Sequence, residues 1–450
     1  MAVVLIAMMP GETGHLNCAF ALADRLTRRG HSVVFIGIEA DAGRVLSRGH
    51  VFRPIAREAL PGRQLTEWKQ RADDGEFRGL RGLARLMGEF NQLFARLRAY
   101  KRAVIEQGTE SDSFTGDLVI CDEMNPLVAM LAWFHRVPIV QLATSLPPDR
   151  RNPNFWSGSL PGSAFFGARS TAQWLIRHLA SRPGSLVGSL LLRRAGLGLH
   201  SLIRDFSLPE GLISGADLRM NLPTLVACPE AFASPCPSAG DHLFIEPLVD
   251  EERDEPAFAP FEHWPEGLRI YASMGSQQLR AAQPILQALV EAAETRPDWS
   301  VLISSGGATD VRPRSANVRV VAAAPQLRVL AEADLMVSHC GLNSVKECIT
   351  RGVPVIGFPL RRDQPGVAAR LVVHGLGLIA TRRDCTPAGL TALIERLAQD
   401  EGLGRKVAEM RRVFAEMEAD GPGIELIDRC LATSASGLGS SGQPLSACRR

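Results

Sequence analysis

The sequence predicts an α/β protein with two domains, each built on a parallel β-sheet that helices cover on both faces. In both halves of the chain, short apolar segments typical of buried strands alternate with segments of helical periodicity. The chain has 450 residues, which is enough for two domains of about 200 residues with well-buried cores. The fifty residues from Val321 to Arg370 combine a strand, a glycine turn, a helix and a second strand, the repeating unit of such a sheet.

The first half of the chain begins with a strand–helix–strand unit. Residues 2–9 form the first predicted strand, GETGH forms a turn that ends at His15, and residues 16–29 form a helix that stops at Gly30. Further predicted elements of this half are a strand over 31–38, a basic helical stretch over 77–106, a strand over 117–122, a helix over 124–136 and a strand over 137–144. This alternation is typical of parallel strands joined by crossover helices.

The middle of the chain differs in composition. Between Asp149 and Asp205 there is no acidic side chain, although eight arginines and apolar clusters such as AFFGA and SLVGSLLL lie there. A strand over 222–229 follows, and an acidic stretch that contains proline then leads into the second half. We predict a first domain over 1–250, a linker over 251–267, a second domain over 268–422, a helix over 423–433 that crosses back to the first domain, and a disordered tail over 434–450.

The second half repeats the alternation of the first. Its predicted elements are a strand over 268–273, a helix over 279–295, and strands over 299–305, 317–323, 334–339 and 352–359. Asn343 and Ser344 are the predicted N-cap of the helix between the last two strands, and Gly352 ends that helix.

Polar residues follow the carboxyl ends of these last two strands. His339 ends the first strand, Cys340 and Gly341 form the turn, and Asp363 and Gln364 lie just past the second strand. Ligands bind at this edge of an open α/β sheet, and the positive N-terminus of a helix suits a phosphate group. The segment therefore predicts a phosphate-containing ligand at this edge.

Composition excludes several other classes of protein. The net charge of +2 does not indicate a general nucleic-acid binder. Nine scattered cysteines, without a C-x-x-C pair or a His/Cys cluster at zinc spacing, predict reduced thiols in a cytoplasm. The first residues lack a basic region, and no apolar run approaches 18 residues, so we expect neither a signal sequence nor a membrane span.

At this point the residues resemble a known family. Residues spread over 325–364 resemble the donor-binding signature of the family 1 glycosyltransferases, which have the GT-B fold. These residues are Pro325-Gln326, His339 to Ser344, Glu347, Gly352-Val353-Pro354, Pro359 and Asp363-Gln364. The strings DQPGVAAR and ASMGS resemble a bacterial branch that contains zeaxanthin glucosyltransferase and macrolide glycosyltransferases. The resemblance implies two Rossmann-like, doubly wound domains that face each other across a cleft. It also implies inverting transfer of a hexose from a nucleotide diphosphate sugar, usually UDP-glucose.

The resemblance gives His15 the role of catalytic base. Transfer to a hydroxyl group needs a base that accepts the proton, and imidazole titrates near the working pH. Asp122, at the end of a strand, would hold the tautomer of His15 and stabilise the imidazolium. Taken alone, His15 could instead be a cap or core residue, and Asp122 could cap the next helix. Glu123 is adjacent to Asp122, and Asp117 begins the strand and should face away.

The resemblance also implies the contacts of the sugar donor. Its diphosphate would be held by His339, Gly341, Asn343 and Ser344, with a hydroxyl from Ser276. Its nucleoside would be held by Glu347, which accepts both ribose hydroxyls, and by Gln326 at the uracil edge, while Asp363 and Gln364 bind the hexose.

The pattern predicts neither a metal nor a resident cofactor. No carboxylate pair stands at metal-chelating spacing, so the helix dipole and the hydrogen-bond donors would act in place of a metal ion. Ala323 stands where an aromatic residue often stacks on uracil, and Val367 where an asparagine often contacts the donor. These departures leave UDP and dTDP sugars open as donors.

The arginine-rich stretch over 150–204 has three interpretations. It could be a solvated charged face, a wall of the acceptor pocket, or a peripheral contact with an anionic membrane surface on the cytoplasmic side. A lipophilic acceptor with a hydroxyl group, such as a carotenoid or polyketide, would reconcile the second and third.

Three other functions are alternatives to glycosyl transfer. A dinucleotide-dependent oxidoreductase would use Glu39 as its ribose partner, but GETGH lacks the G-x-G-x-x-G pattern and the second half stays unexplained. A sugar-nucleotide epimerase of the same architecture and a non-catalytic relative that activates a partner protein stay open as alternatives.

Overall fold

The protein is described here by a computed structural model. It describes residues 1–9, 13–56, 95, 99, 102–103, 105–109, 112–147, 206, 208–209, 212–214, 219–235, 242–262, 264, 267–275, 279–306, 311–360 and 363–435. Four predictions fall wholly or mostly outside these ranges: the basic helical stretch over 77–106, the hydroxyl of Ser276, the arginine-rich stretch over 150–204, and the tail over 434–450. Residues 434 and 435 of that tail are described and belong to the last helix, so the predicted start of the tail is two residues too early.

The first sheet consists of the parallel strands β1 (Val3–Ala7), β2 (Ser32–Ile38), β3 (Val51–Ala56), β4 (Leu118–Asp122), β5 (Ile139–Ala143), β8 (Thr224–Val226) and β9 (His242–Phe244). They lie side by side in the order β3-β2-β1-β4-β5-β8-β9. Two further short strands, β6 (Ile213–Ser214) and β7 (Arg219–Met220), pair with each other in an antiparallel manner. The chain reverses direction across the sheet between β1 and β4, which is the switch point where doubly wound sheets bind ligands.

Helices cover both faces of this sheet. The helices of the first half are α1 (Thr13–Arg28), α2 (Ala42–Leu46), α3 (Pro126–Phe134) and α4 (Glu230–Ala233). Leu22 and Leu26 of α1 pack with Val4 and Ile6 in one buried cluster, whereas Leu5 belongs to a second cluster with residues of α3. Successive residues of β1 therefore point to opposite, fully buried faces, which explains its uninterrupted apolar sequence.

The second sheet consists of the parallel strands β10 (Leu268–Ser273), β11 (Trp299–Ser304), β12 (Val318–Val321), β13 (Leu335–Ser338), β14 (Val355–Gly357) and β15 (Gly377–Ile379). They lie side by side in the order β12-β11-β10-β13-β14-β15, so the switch point of this sheet lies between β10 and β13. The helices are α5 (Leu279–Glu294), α6 (Gln326–Leu330), α7 (Leu342–Arg351), α8 (Gln364–Val373), α9 (Pro387–Ala398), α10 (Glu401–Asp420) and α11 (Pro422–Ala435).

The last helix, α11, packs on the first sheet rather than the second. Ile424, Ile427 and Leu431 are buried in the cluster that contains the residues of α1. At its surface, Nε2 of His31 lies 2.8 Å from Oδ1 of Asp428. The chain therefore returns from the second sheet to the first at its carboxyl end.

Two buried cationic side chains, on helices of the second domain, donate hydrogen bonds to carbonyl groups near the carboxyl-terminal end of the first domain. Nζ of Lys346 donates to the carbonyls of Ala227 (3.0 Å) and Pro247 (2.7 Å), and the side chain is 1% exposed. Arg370 is fully buried, and its Nε donates to the carbonyl of Ala233 at 2.5 Å. Because a buried donor left without its acceptor costs about 1–3 kcal/mol, these bonds hold α7 and α8 firmly against the first domain.

Two predicted helix starts differ from the structure. Helix α1 begins at Thr13 rather than at residue 16, so His15 lies in its first turn. Helix α7 has Gly341 as its N-cap, with extended dihedrals (φ −62°, ψ 135°), so Asn343 and Ser344 lie inside the first turn rather than at the cap. The prediction failed because glycine is also a common N-cap residue, and no side chain caps this helix. Gly352 ends α7 in the left-handed conformation, as predicted.

The oxidation state of the cysteines agrees only partly with the prediction that all of them are reduced thiols. Cys18, Cys121, Cys228, Cys340, Cys348 and Cys385 carry thiols, in agreement with the prediction. Cys430 is disulfide-bonded, so the prediction of reduced thiols is wrong for that residue. Among the described residues, no helix is both long and apolar enough to cross a bilayer.

Candidate active site

The site lies where the start of α1 meets the start of α7. Gly14, in the first turn of α1, faces the side chain of Asn343 so closely that a Cβ on Gly14 would lie 2.8 Å from Nδ2 of Asn343. Helix α1 follows β1 and helix α7 follows β13, and each of these strands borders the switch point of its sheet. The ligand-binding edges of the two sheets are therefore brought together at this point.

His15 is held by two residues of neighbouring strands. Its Nδ1 lies 2.6 Å from Oδ2 of Asp122 at the end of β4, and 2.9 Å from Oγ1 of Thr144, just past β5. Asp122 is fully buried, and its other oxygen accepts the backbone N–H of Met124 at 2.8 Å. The carboxylate is thereby fixed in one rotamer, with one oxygen directed at the imidazole.

This arrangement determines which nitrogen of His15 can act as a base. A carboxylate can only accept hydrogen bonds, so the proton of the neutral ring resides on Nδ1, which donates to Asp122. Nε2 then carries the lone pair. When Nε2 takes a proton, the buried carboxylate stabilises the imidazolium. The other acidic residues near β4 lie elsewhere: Glu123 accepts from Ser145, and Asp117 accepts the N–H of Val3 at the opposite edge.

The turn before α7 is tightly packed around His339. A Cβ on Gly275 would lie 3.1 Å from the His339 ring, and one on Gly341 would lie 2.7 Å from its Nε2, so glycine is required at both positions. Burial lowers the pKa of His339 to about 4, so the ring is neutral at physiological pH. A neutral imidazole in this place can donate a hydrogen bond to a phosphate oxygen without carrying a charge.

Cys340 supplies the unusual backbone of the same turn. Its φ is +63°, in the left-handed region that favours glycine, and its side chain is fully buried. Burial, and then the nearby charge of Asp363, raises the pKa of its thiol well above the usual range. Cys340 is therefore an inert packing residue that shapes the turn, and Asp363 lies near it.

Behind the turn, the residues predicted to bind the nucleoside form one hydrogen-bonded cluster. Nε2 of Gln326 lies 2.6 Å from Oε2 of Glu347 and 3.3 Å from Oγ of Ser344. The hydroxyl of Tyr271 donates to Oε1, the side-chain amide oxygen of Gln326, at 3.5 Å. NH1 of Arg253 donates to the other oxygen of Glu347 at 2.6 Å. Gln326 thus contacts two other predicted residues, Glu347 and Ser344, and Arg253 and Tyr271 join this cluster.

Asp363 and Gln364 lie at the start of α8, past the end of β14. Gln364 is 5% exposed, and its side-chain oxygen Oε1 accepts the backbone N–H of Leu360 at 2.8 Å. This bond ties Gln364 to the loop that follows β14. Both residues therefore stand at the same edge of the sheet as the α7 turn.

A small, largely apolar pocket lies beside α1 in the first domain. Leu16, the residue after His15, lines it together with Met8, Met9, Phe35 and Phe52, and with the polar Asp41 and Arg44. The carboxyl ends of β1 and β2 contribute to its wall.

Sequence reasoning missed three residues of the site, Thr144, Arg253 and Tyr271. Tyr271 lies inside the strand predicted over 268–273, and nothing in that apolar segment indicates a role for it. Thr144 ends the segment predicted as a strand over 137–144, and its position beside Asp122 on the next strand was a usable signal. Arg253 lies in a charged linker, where nothing in the sequence points to its partners. Within the described residues there is no group of three or more His, Cys, Asp or Glu side chains able to hold a metal ion.

The chain is similar to known glycosyltransferases over nearly its whole length. Residues 289–433 match the family model described as the C-terminal domain of erythromycin biosynthesis protein CIII-like proteins. The zeaxanthin glucosyltransferase of Pseudescherichia vulneris is 28% identical over 448 residues, covering 95% of this chain and 98% of that protein. That of Pantoea ananas is 23% identical over 449 residues, covering 97% and 98%.

A solved structure with the same fold is the glycotransferase of kitacinnamycin. It superposes with a TM-score of 0.68 at 20% identity, covering 96% of this chain and 99% of that one. At this identity the likeness bears on the fold alone. It confirms the predicted GT-B architecture of two Rossmann-like domains facing across a cleft.

Proposed function

We propose, since the chain belongs to the family 1 glycosyltransferases of GT-B fold, that it moves a hexose from a nucleotide diphosphate sugar to a hydroxyl group of a lipophilic natural product. The observation that carries the proposal is the pairing of His15 with Asp122 next to the N-terminus of α7. A base and a phosphate-binding helix end face the same cleft. Neither a rigid binding module nor a protein activator needs this combination.

In the proposed reaction, a single displacement inverts the anomeric carbon. Nε2 of His15 takes the proton of the acceptor hydroxyl as its oxygen forms a bond to that carbon. The bond from the carbon to the diphosphate oxygen breaks, and the nucleoside diphosphate leaves with the electron pair. Asp122 stabilises the imidazolium that results.

The leaving diphosphate gains negative charge, which the start of α7 would stabilise. The first N–H groups of a helix have no carbonyl partner within it and carry the positive end of the helix dipole. Ser344 and neutral His339 would add hydrogen bonds from their side chains. These donors supply the stabilisation that a metal ion provides in other transferases, which supports a reaction without metal.

We propose UDP-glucose as the donor, with UDP as the product. Glu347 supports this choice because a carboxylate in a nucleoside site suits the two hydroxyls of ribose. The zeaxanthin relatives are named as glucosyltransferases, which favours glucose as the sugar. Isothermal titration with UDP, UDP-glucose and dTDP-glucose in the presence of a chelator tests this. Tighter binding of the thymidine nucleotide, or a strict need for Mg²⁺, would overturn it.

The acceptor is proposed to be a hydrophobic alcohol, such as a carotenoid or polyketide. Met8, Met9, Phe35 and Phe52 support this, because they place apolar side chains around a small pocket near the carboxyl ends of β1 and β2. The similarity to zeaxanthin glucosyltransferases points the same way. Assays with UDP-glucose and a hydroxylated carotenoid, a macrolide or an oligosaccharide separate the classes. Glucosylation of the oligosaccharide alone would contradict the proposal.

Whether the acceptor is met at a membrane can be tested separately. Sedimentation with anionic and neutral liposomes should show salt-sensitive binding to the anionic ones if the arginines of residues 150–204 contact headgroups. Binding to neither type, together with activity on a soluble carboxylated acceptor, would assign the arginines to the acceptor site.

A further inference from the structure

Arg253 bridges two carboxylates that come from different parts of the fold. It lies on the segment between β9 and β10, where NH1 donates to Glu347 at 2.6 Å and Nε donates to Glu255 at 2.7 Å. The side chains of Arg253, Glu347 and Glu255 are only 11%, 9% and 10% exposed. The bridge is therefore largely shielded from solvent, where removal of one partner leaves an uncompensated charge.

The second carboxylate links this bridge to α6. Oε2 of Glu255 accepts the backbone N–H of Arg328 at 3.1 Å, and its Oε1 lies 3.4 Å from the backbone N of Leu327. These N–H groups lie in the first turn of α6, which begins with Gln326. One guanidinium thus connects Glu347 on α7 with the start of the helix that carries Gln326.

The charges show why the bridge is needed. Two carboxylates contact the same guanidinium, and without that cation they would repel each other in a partly buried place. Arg253 binds only one oxygen of Glu347, Oε1, and this fixes the carboxylate in one orientation. Oε2 is then directed toward Gln326 and the interior of the cluster.

We propose that Arg253 is a positioning residue for recognition of the nucleoside's sugar hydroxyls, acting through the carboxylate of Glu347. This inference rests on the proposed function, because it takes the cluster of Glu347 and Gln326 as the nucleoside site. Arg253 does not contact the reacting atoms. It holds the side chain of Glu347 in one orientation, so that the carboxylate discriminates between nucleotides with and without sugar hydroxyls.

The test compares UDP with 2′,3′-dideoxy-UDP by isothermal titration. The ratio of their dissociation constants measures what the two hydroxyls contribute, and hydrogen bonds to a charged group predict a ratio of roughly 10–100 for the wild-type protein. Arg253→Gln should lower this ratio at least about fivefold, toward that of Glu347→Ala, while the affinity for the dideoxy nucleotide changes less than about twofold. A lysine can pair with one carboxylate but cannot span two, so Arg253→Lys should give an intermediate ratio.

Arg412→Gln is the matched control, because Arg412 pairs with Glu416 on the exposed surface of α10. Its ratio should equal that of the wild type. If Arg253→Gln does not fold, as judged by circular dichroism, Arg253→Lys carries the test. A ratio near one in the wild type, or equal weakening of both nucleotides in the variant, overturns the inference alone. A wild-type protein that binds neither UDP nor dTDP overturns the proposed function as well.

Discussion

Gly14 and Asn343 contact each other across the two domains, with space on Gly14 for a hydrogen atom but not for a methyl group. A Cβ there would lie 2.8 Å from Nδ2 of Asn343, closer than carbon and nitrogen atoms normally approach. The contact joins the helix that carries the base to the helix that is proposed to bind diphosphate. Any side chain at residue 14 must therefore displace the side chain of Asn343.

Gly14→Ala should weaken binding of UDP by roughly 3- to 30-fold, the effect of losing about one hydrogen bond. The reason is that the new methyl group displaces the amide of Asn343, whose end can rotate, so the melting temperature should change little. Isothermal titration and thermal denaturation measure the two effects. Gly43→Ala is the control, since a Cβ at this helical glycine meets nothing within 4 Å. Equal UDP affinities of the two variants would contradict the prediction.

The fold could be predicted from the sequence because its signals are local. Strands such as β10 and helices such as α5 are recognised by the spacing of their own apolar residues, and parallel topology follows from their alternation. The first residue of a helix is harder to predict from the sequence. Gly341 is the N-cap of α7, although the polar residues Asn343 and Ser344 lie just after it, because the backbone dihedrals determine which residue is the cap.

The site was only partly predictable, because its contacts join distant segments. Asp122 and Thr144 end adjacent parallel strands, so their common edge was foreseeable from the sequence. Arg253 and Glu347 are far apart in the chain, and no periodicity relates a linker residue to a helix of the second domain. Such an ion pair depends on how the linker crosses the second domain, which single-sequence patterns do not encode.

His339 should make stability depend on pH. Burial lowers its folded pKa from 6.5 to about 4, so between these values the unfolded state binds a proton that the native state does not. The stabilising contribution is complete above about pH 6.5 and falls as pH decreases, by up to about 3 kcal/mol at pH 4. Urea denaturation at several pH values should show this loss, and His339→Gln should show a smaller one. Parallel curves for the two proteins would exclude His339 as the cause.

Gly357→Ala should destabilise the second domain through Cys340. The new Cβ would lie 2.4 Å from Sγ of Cys340, and overpacking of this kind costs typically about 1–3 kcal/mol. Cys340→Gly removes the sulfur, and glycine accepts the φ of +63° without strain. In that background Gly357→Ala should cost less, so a double-mutant cycle of unfolding free energies should give a coupling of about 1 kcal/mol or more. Additive costs would show that the clash lies elsewhere.

The pairing of His15 with Asp122 predicts losses of activity that do not add. His15→Ala should lower turnover by roughly 10²–10⁴-fold and leave UDP affinity nearly unchanged, because a base acts only on the acceptor's proton. Asp122→Asn should cost as much or less, since it acts only through the imidazole. Thr144→Val keeps the shape but removes a neutral hydroxyl, so its loss should be smaller than that of Asp122→Asn.

The double variant His15→Ala/Asp122→Asn should be no slower than His15→Ala alone, because without the imidazole the carboxylate has nothing to orient or to stabilise. Initial rates of UDP release from UDP-glucose with a hydroxylated acceptor measure all four variants. Losses that multiply in the double variant would mean that Asp122 contributes independently of His15. In that case the 2.6 Å contact would be structural, with the carboxylate holding the backbone N–H of Met124 rather than serving the base.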